Sequence, residues 1–396
     1  MEETGVERVS VAAECVICGG GCTEFLRRDG VPVQQNFLFP TRQEAVDAAR
    51  GDLRFVVCER CGFIFNAAFD PALVPYGENY ENDQTCSEAF RAYVDGIIRH
   101  LFAKIGPRSG HIVEVGCGQA GFLKQLLAEV SALHTATGFD PSYRGPESSL
   151  DGRLRVERRY YGRDCAVPAD LVISRHVIEH VPRPLDFLAQ IAASMETSPG
   201  AHFFCETPDV EWILRNEVFW DFFYEHCSLF TAQSSRTAFQ LSGFEVQQVQ
   251  YAFGGQYLWV DAAAGAGVTT HYEAGSIPSL AHAFGVRERQ LKHRWTELLE
   301  AVSHKGKVAV WGAGAKGVTF VNLIDPLGSR VDCVVDLNPS KQGSFIAGTG
   351  HPIVDPRQLP DRGVRTAIVM NPNYIEENER LVRKARFELE FIPAQA

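Results

Sequence analysis

Apolar positions along this chain follow two rhythms that take turns. Short apolar runs ending in glycine or an acid predict buried strands, and stretches with apolar residues three and four apart predict helices. A helix over 87–104 leads into a strand over 112–115, a glycine turn, and a helix opened by Phe122, Leu123, Leu126 and Leu127. Further strands are predicted over 137–139, 170–174 and 201–205. Residues 244–251 and 256–260, joined through Gly254 and Gly255, read as a strand pair. The segment 262–267 reads as a joint, followed by an amphipathic helix over 278–304 whose Arg287, Arg289, Lys292 and Arg294 form a solvated face. A second strand, loop and helix start at Val308, and strands over 331–335, 366–370 and 387–392 complete a small unit. Strands alternating with helices make this an α/β chain. The pattern divides it at 1–80, 81–265 and 266–396.

A length of 396 residues exceeds one ordinary core and fits two or three domains. With 45% apolar and 22% charged residues the composition is that of a globular protein. No apolar run is long enough to span a bilayer, and the amino terminus lacks the basic and apolar regions of a secretion signal. A cytoplasmic protein without a membrane partner is expected. The net charge of −11 disfavours nucleic acid as a partner, although a local Arg or Lys can still hold an anionic small molecule. Eleven cysteines in such a chain point to metal ligands and core thiols before disulfides. Cys15-Val-Ile-Cys18 and Cys58-Glu-Arg-Cys61 are each followed by a glycine, Gly19 and Gly62, which suits the turn of a zinc knuckle. Two such pairs predict a closed structural zinc site, with Cys22 a poorer-spaced competitor.

The first strand ends in Glu114-Val-Gly116-Cys117-Gly118, and the next ends in Asp140. The glycines allow a sharp bend and close approach to a ligand, and the acid is placed to accept hydrogen bonds from ribose hydroxyls. This arrangement resembles the class I S-adenosylmethionine-dependent methyltransferases. The resemblance implies a cofactor set of Glu114, Gly116, Cys117, Gly118, Asp140, Pro141, Ser174 and His176, and a sheet ending in an antiparallel pair. The run His176-Val-Ile-Glu179-His180 also matches an inverted zinc-protease motif. It stands directly after a strand, however, and Pro182 and Pro184 interrupt the helix a protease would need. Tyr76 and Tyr80 lie in a polar, aromatic loop that can close over a ligand.

Near the end of the chain, Gly312-Ala-Gly314-Ala-Lys316-Gly317 with Asp336 forms a second glycine fingerprint of dinucleotide type. Paired Cys-x-x-Cys, a class I methyltransferase core and this carboxy-terminal loop, in that order, resemble the bacterial sugar C-methyltransferases over nearly the whole chain. That family implies an amino-terminal zinc domain, a methyltransferase domain and a Rossmann-like domain closing a cleft for nucleotide-linked 4-keto deoxysugars. Its Tyr-His-Glu-His segment aligns with Phe223-Tyr224-Glu225-His226. The last two positions carry over as neighbour and base, and the first two differ. An enolate formed by His226 needs a donor at its oxygen, for which Tyr224, Tyr80 and His180 are candidates. Competing readings are an O- or N-methyltransferase of a small metabolite, an NAD-dependent oxidoreductase using the second glycine loop, and a binding protein without turnover.

Overall fold

The computed structural model describes residues 13–74, 86–106, 109–265 and 271–395. Tyr76, Tyr80 and the end of the expected joint lie outside them. The first sheet begins as an antiparallel meander of Ala13–Glu14 (β1), Gly21–Pro32 (β2), Arg50–Cys58 (β3) and Ile64–Asn66 (β4). Leu53, Phe55 and Val57 alternate inward along β3.

The second sheet is central. Its strands are His111–Val115 (β5), Thr135–Phe139 (β6), Ser148–Ser149 (β7), Leu154–Glu157 (β8), Leu171–Arg175 (β9) and His202–Pro208 (β10); helices separate β5 from β6 and β9 from β10, while β6, β7 and β8 follow one another without one. Ser228–Leu229 (β11) leaves for the first sheet and pairs with β4. Phe244–Ala252 (β12) and Tyr257–Ala264 (β13) close the central sheet in the order β12-β13-β10-β9-β5-β6-β8-β7. Strands β5, β6, β8, β9 and β10 pair in parallel, while β13 runs antiparallel to both β10 and β12. This is the class I methyltransferase sheet with a short extra edge strand.

Ile112, Val113, Leu171, Val172, Phe203 and Phe204 are all buried because helices cover both faces of these parallel strands. One such helix, Glu88–Ile105, starts at Ser87, whose hydroxyl accepts from Phe90 N, and buries Phe90, Val94, Ile97, Ile98 and Leu101 at helical spacing. Strand order reverses between β5 and β9, so the open crevice lies outside their carboxyl ends.

Lys307–Trp311 (β14), Val331–Val335 (β15), Ile353–Val354 (β16), Val364–Val369 (β17) and Glu390–Pro393 (β18) form a third, all-parallel sheet in the order β16-β15-β14-β17-β18. The helix Ile277–Ser303 ties it to the first sheet, its Phe284 and Leu291 sharing one core with Leu26, Phe55 and Phe320. Arg28 of β2 is the polar joint of this core. Its Nε donates to Glu288 Oε1 at 2.8 Å, and its two terminal nitrogens donate to the carbonyls of Phe222 and Phe219. On the other side Glu377, from the helix Ile375–Ala385, accepts from the Ser87 hydroxyl and the Glu88 and Ala89 amides.

Candidate active site

At the carboxyl end of β5, Gly116 and Gly118 adopt φ of 76° and 52°. A Cβ on Gly116 would sit 2.3 Å from Val177 Cγ2, so the position accepts no side chain. Asp140 holds the loop shut on itself: its Oδ2 accepts from Gly118 N at 2.8 Å, and its Oδ1 accepts from Ser142 N and hydroxyl. Pro141 follows it on the surface, while Cys117 and Ser174 are buried. No side chain caps the next helix, Gly121–Glu129. Glu114 is buried, and burial, only partly offset by Arg175, raises its carboxyl to about 8. These are the residues expected to receive the cofactor.

Beside them sits a charged network that the sequence did not reveal. Register pairs Arg175 of β9 with Glu206 of β10, and the guanidinium donates to the carboxylate at 2.8 Å. The Tyr93 hydroxyl and Trp259 Nε1 also donate to Glu206. His176 has a φ of 53°, a conformation a non-glycine residue adopts only when its surroundings enforce it. Its Nδ1 lies 3.2 Å from Glu179 Oε1 and its Nε2 3.3 Å from Glu206 Oε2. Burial opposes its charge, but Glu206 and Glu179 outweigh burial and raise the imidazole to about 9.

Past this network opens a cavity of about 220 Å³ between the central and third sheets. His176, Glu179, His180 and His226 line one side, and Gly312, Gly314 and Lys316 line the other. The His180 and His226 rings meet edge to face at 4.8 Å, and Phe223 packs on His226 at 4.1 Å. Burial first, then the neighbouring His180, His176 and Lys316, hold His226 well below the ordinary histidine range. It is therefore a neutral imidazole facing the cavity. Lys316 reaches across to Asp221 at 2.7 Å, and Gln256 and Asn371 exchange hydrogen bonds through their amides. These contacts set the width of the cavity.

Two expected site residues stand behind the wall. Glu225 is buried and its Oε2 accepts from Gln35 N at 2.9 Å, bracing a loop whose Asn36 lines the cavity. Tyr224 packs on Gly51, where a Cβ would meet its ring at 2.4 Å, and its hydroxyl accepts from Asp70 N. Neither lines the cavity. In the second glycine loop, a Cβ on Gly317 would fall 1.9 Å from Gly312 O, and Asp336 accepts from Ala313 N and Asn338 N.

The sulfurs of Cys15, Cys18, Cys58 and Cys61 lie within 4.8 Å of one another. Cys15 and Cys61 are 3.6 Å apart and Cys18 and Cys58 3.4 Å, near the roughly 3.8 Å edge of a tetrahedron with zinc–sulfur bonds. Ile17 N and Arg60 N donate to Cys15 and Cys58, as thiolates require. Gly20 fits this set, since a Cβ there would stand 3.2 Å from two of the sulfurs. Cys22 lies outside the foursome and donates to Gly20 O.

Residues 87–249 match a family model described as a methyltransferase domain, and residues 276–388 one described as a C-methyltransferase C-terminal domain. The C-methyltransferase NovU of Streptomyces niveus is 28% identical over 238 residues, covering 55% of this chain and 56% of that one. The chain thus matches about half the length of this curated relative. Among solved structures, an S-adenosylmethionine-dependent methyltransferase from Mesorhizobium loti is 16% identical, covers 43% of this chain and 99% of its own, and superposes with a TM-score of 0.32. The 1,6-didemethyltoxoflavin-N1-methyltransferase of Burkholderia thailandensis is 15% identical, covering 46% and 80%, with a TM-score of 0.34. The chain thus has the class I methyltransferase fold and is an S-adenosylmethionine-dependent methyltransferase, and its residues 276–388 are similar to the C-terminal domain of C-methyltransferases.

Proposed function

We propose that this protein is an S-adenosylmethionine-dependent C-methyltransferase that acts next to a ketone, on a nucleotide-linked deoxysugar or a similar small metabolite. The observation that carries the reading is His226, a neutral imidazole in the wall of the cavity beside the carboxyl edge of the central sheet. NovU is described as a C-methyltransferase, and the model matched by residues 276–388 as a C-methyltransferase C-terminal domain.

The cofactor would rest on Gly116, Gly118 and Asp140, with Glu114, Cys117, Pro141, Ser174 and His176 around it, and supplies an electrophilic methyl group when bound. His226 takes the proton from the carbon beside the ketone, because its lone pair is free at neutral pH and the developing charge spreads onto the ketone oxygen. His180 stands against His226 and is the described candidate for a donor to that oxygen. Glu225 acts through the loop it braces, and Tyr224 through packing, so both are positioning residues in this reading. Asp221 and Lys316 keep the cavity walls together and help exclude water. The four thiolates are assigned a structural zinc ion holding the amino-terminal sheet, and the chain is assigned the divisions 1–80, 81–265 and 266–396.

A panel of nucleotide-linked 4-keto sugars, incubated with the cofactor in deuterated water, tests the reading. Mass spectrometry should show a gain of one methylene on carbon, and without cofactor one sugar should exchange hydrogen for deuterium beside its ketone. Methylation of oxygen or nitrogen with no such exchange would refute it.

A further inference from the structure

We propose that Glu179, His180 and His226 form a second metal site, which takes one first-row divalent cation such as Co²⁺, Ni²⁺ or Zn²⁺ in the cavity wall. One carboxylate oxygen and one nitrogen of each imidazole lie within 4.8 Å of one another, and all three residues line the cavity. Two imidazoles and a carboxylate are the donor set these cations favour, with a further position left to the cavity. A tetrahedral ion with bonds of roughly 2.1 Å needs donors about 3.4 Å apart, so at most about 0.7 Å of movement at each side chain closes the set.

The surroundings support the same assignment. His176 Nδ1 stands 3.2 Å from Glu179 Oε1, and the Thr207 hydroxyl donates to Glu179 Oε2 at 3.2 Å, so the carboxylate is oriented from behind. The nearby cations do not dominate the field. Lys316 is paired with Asp221, Lys341 stands 3.7 Å from Asp336, and His176 faces Glu206. The protease-like spacing His176-Val-Ile-Glu179-His180 contributes only its last two donors, because β9 ends at Arg175 and turns His176 toward Glu206. His226 fills the third place.

A bound ion would occupy the nitrogen lone pair with which His226 removes a proton. This consequence rests on the catalytic reading above, whereas the site itself does not. The full chain is titrated with Co²⁺ and followed by visible absorption and equilibrium dialysis. Cobalt in the cysteine knuckle shows sulfur-to-metal charge-transfer bands, and cobalt on nitrogen and oxygen shows none. A second equivalent should bind without strengthening those bands. Glu179→Gln and His180→Ala should each weaken it at least about tenfold while the knuckle spectrum, which reports folding, is retained. Saturation by knuckle-bound cobalt alone overturns the site, as does a second equivalent held equally tightly in both variants. Turnover measured in the same samples separates the two readings: a second equivalent that binds without slowing methylation leaves the site standing and removes His226 as the base.

Discussion

His176 and His226 share one cavity wall, yet their surroundings push them in opposite directions. Two carboxylates hold His176 protonated, while burial without a carboxylate partner keeps His226 neutral. A lowered pKa leaves a base active down to lower pH, so the acid limb of kcat/KM should fall below pH 6.5, the ordinary histidine value. A limb well above that in a pH–rate profile would contradict the assignment. His226→Ala should lower turnover by about 10²-fold or more while cofactor affinity by calorimetry stays near that of the parent. For His176 the sign runs the other way. Its folded pKa is raised to about 9, so its stabilising contribution is complete below about pH 6.5 and disappears as pH climbs through about 9. Denaturation midpoints of the parent should fall over that window more steeply than those of His176→Gln. His226, which the fold brings to the cavity wall, stands out in sequence because a glutamate and a histidine interrupt an aromatic run. Glu206 was not, because Arg175 becomes its partner only through the register of two strands.

Among the elements, strands β5, β6, β9, β10, β12 and β13 were legible from their apolar runs, with ends shifted by a few residues, whereas the short polar strands β7 and β8 were missed, and Pro184, expected to interrupt a helix, instead opens the helix Pro184–Met195. The meander β2–β3 was missed. Arg27, Arg28 and Asp29 break the alternation of β2, and only the fold shows that Arg28 points into a core and satisfies two carbonyls and a carboxylate there. Replacing it strands those partners, although Lys292 stands 3.3 Å from Glu288 and softens the loss. Arg28→Ala should therefore cost about 3 kcal/mol in chemical denaturation. A change under about 1 kcal/mol would mean that water replaces the guanidinium easily.

At the scale of the molecule, the three sheets are not independent. Strand β11 begins two residues after His226 and pairs with β4, which itself begins three residues after Cys61. Asn66 N donates to Cys227 O at 2.9 Å, tightening the same seam. Chelating the metal assigned above to the cysteine knuckle should therefore loosen the backbone next to His226 as well as the amino-terminal sheet. Hydrogen exchange should quicken in β3, β4 and β11 after chelation, most readily at low pH, where thiols regain protons. Unchanged exchange in β11 would show that the seam holds without the ion.

That seam has a practical reach. With the zinc assigned above to the knuckle, growth media poor in that metal would yield material that still folds around its central sheet but works unevenly. Differences in specific activity between batches should then follow their bound-metal content, and adding zinc back should bring the poorest batches level with the best.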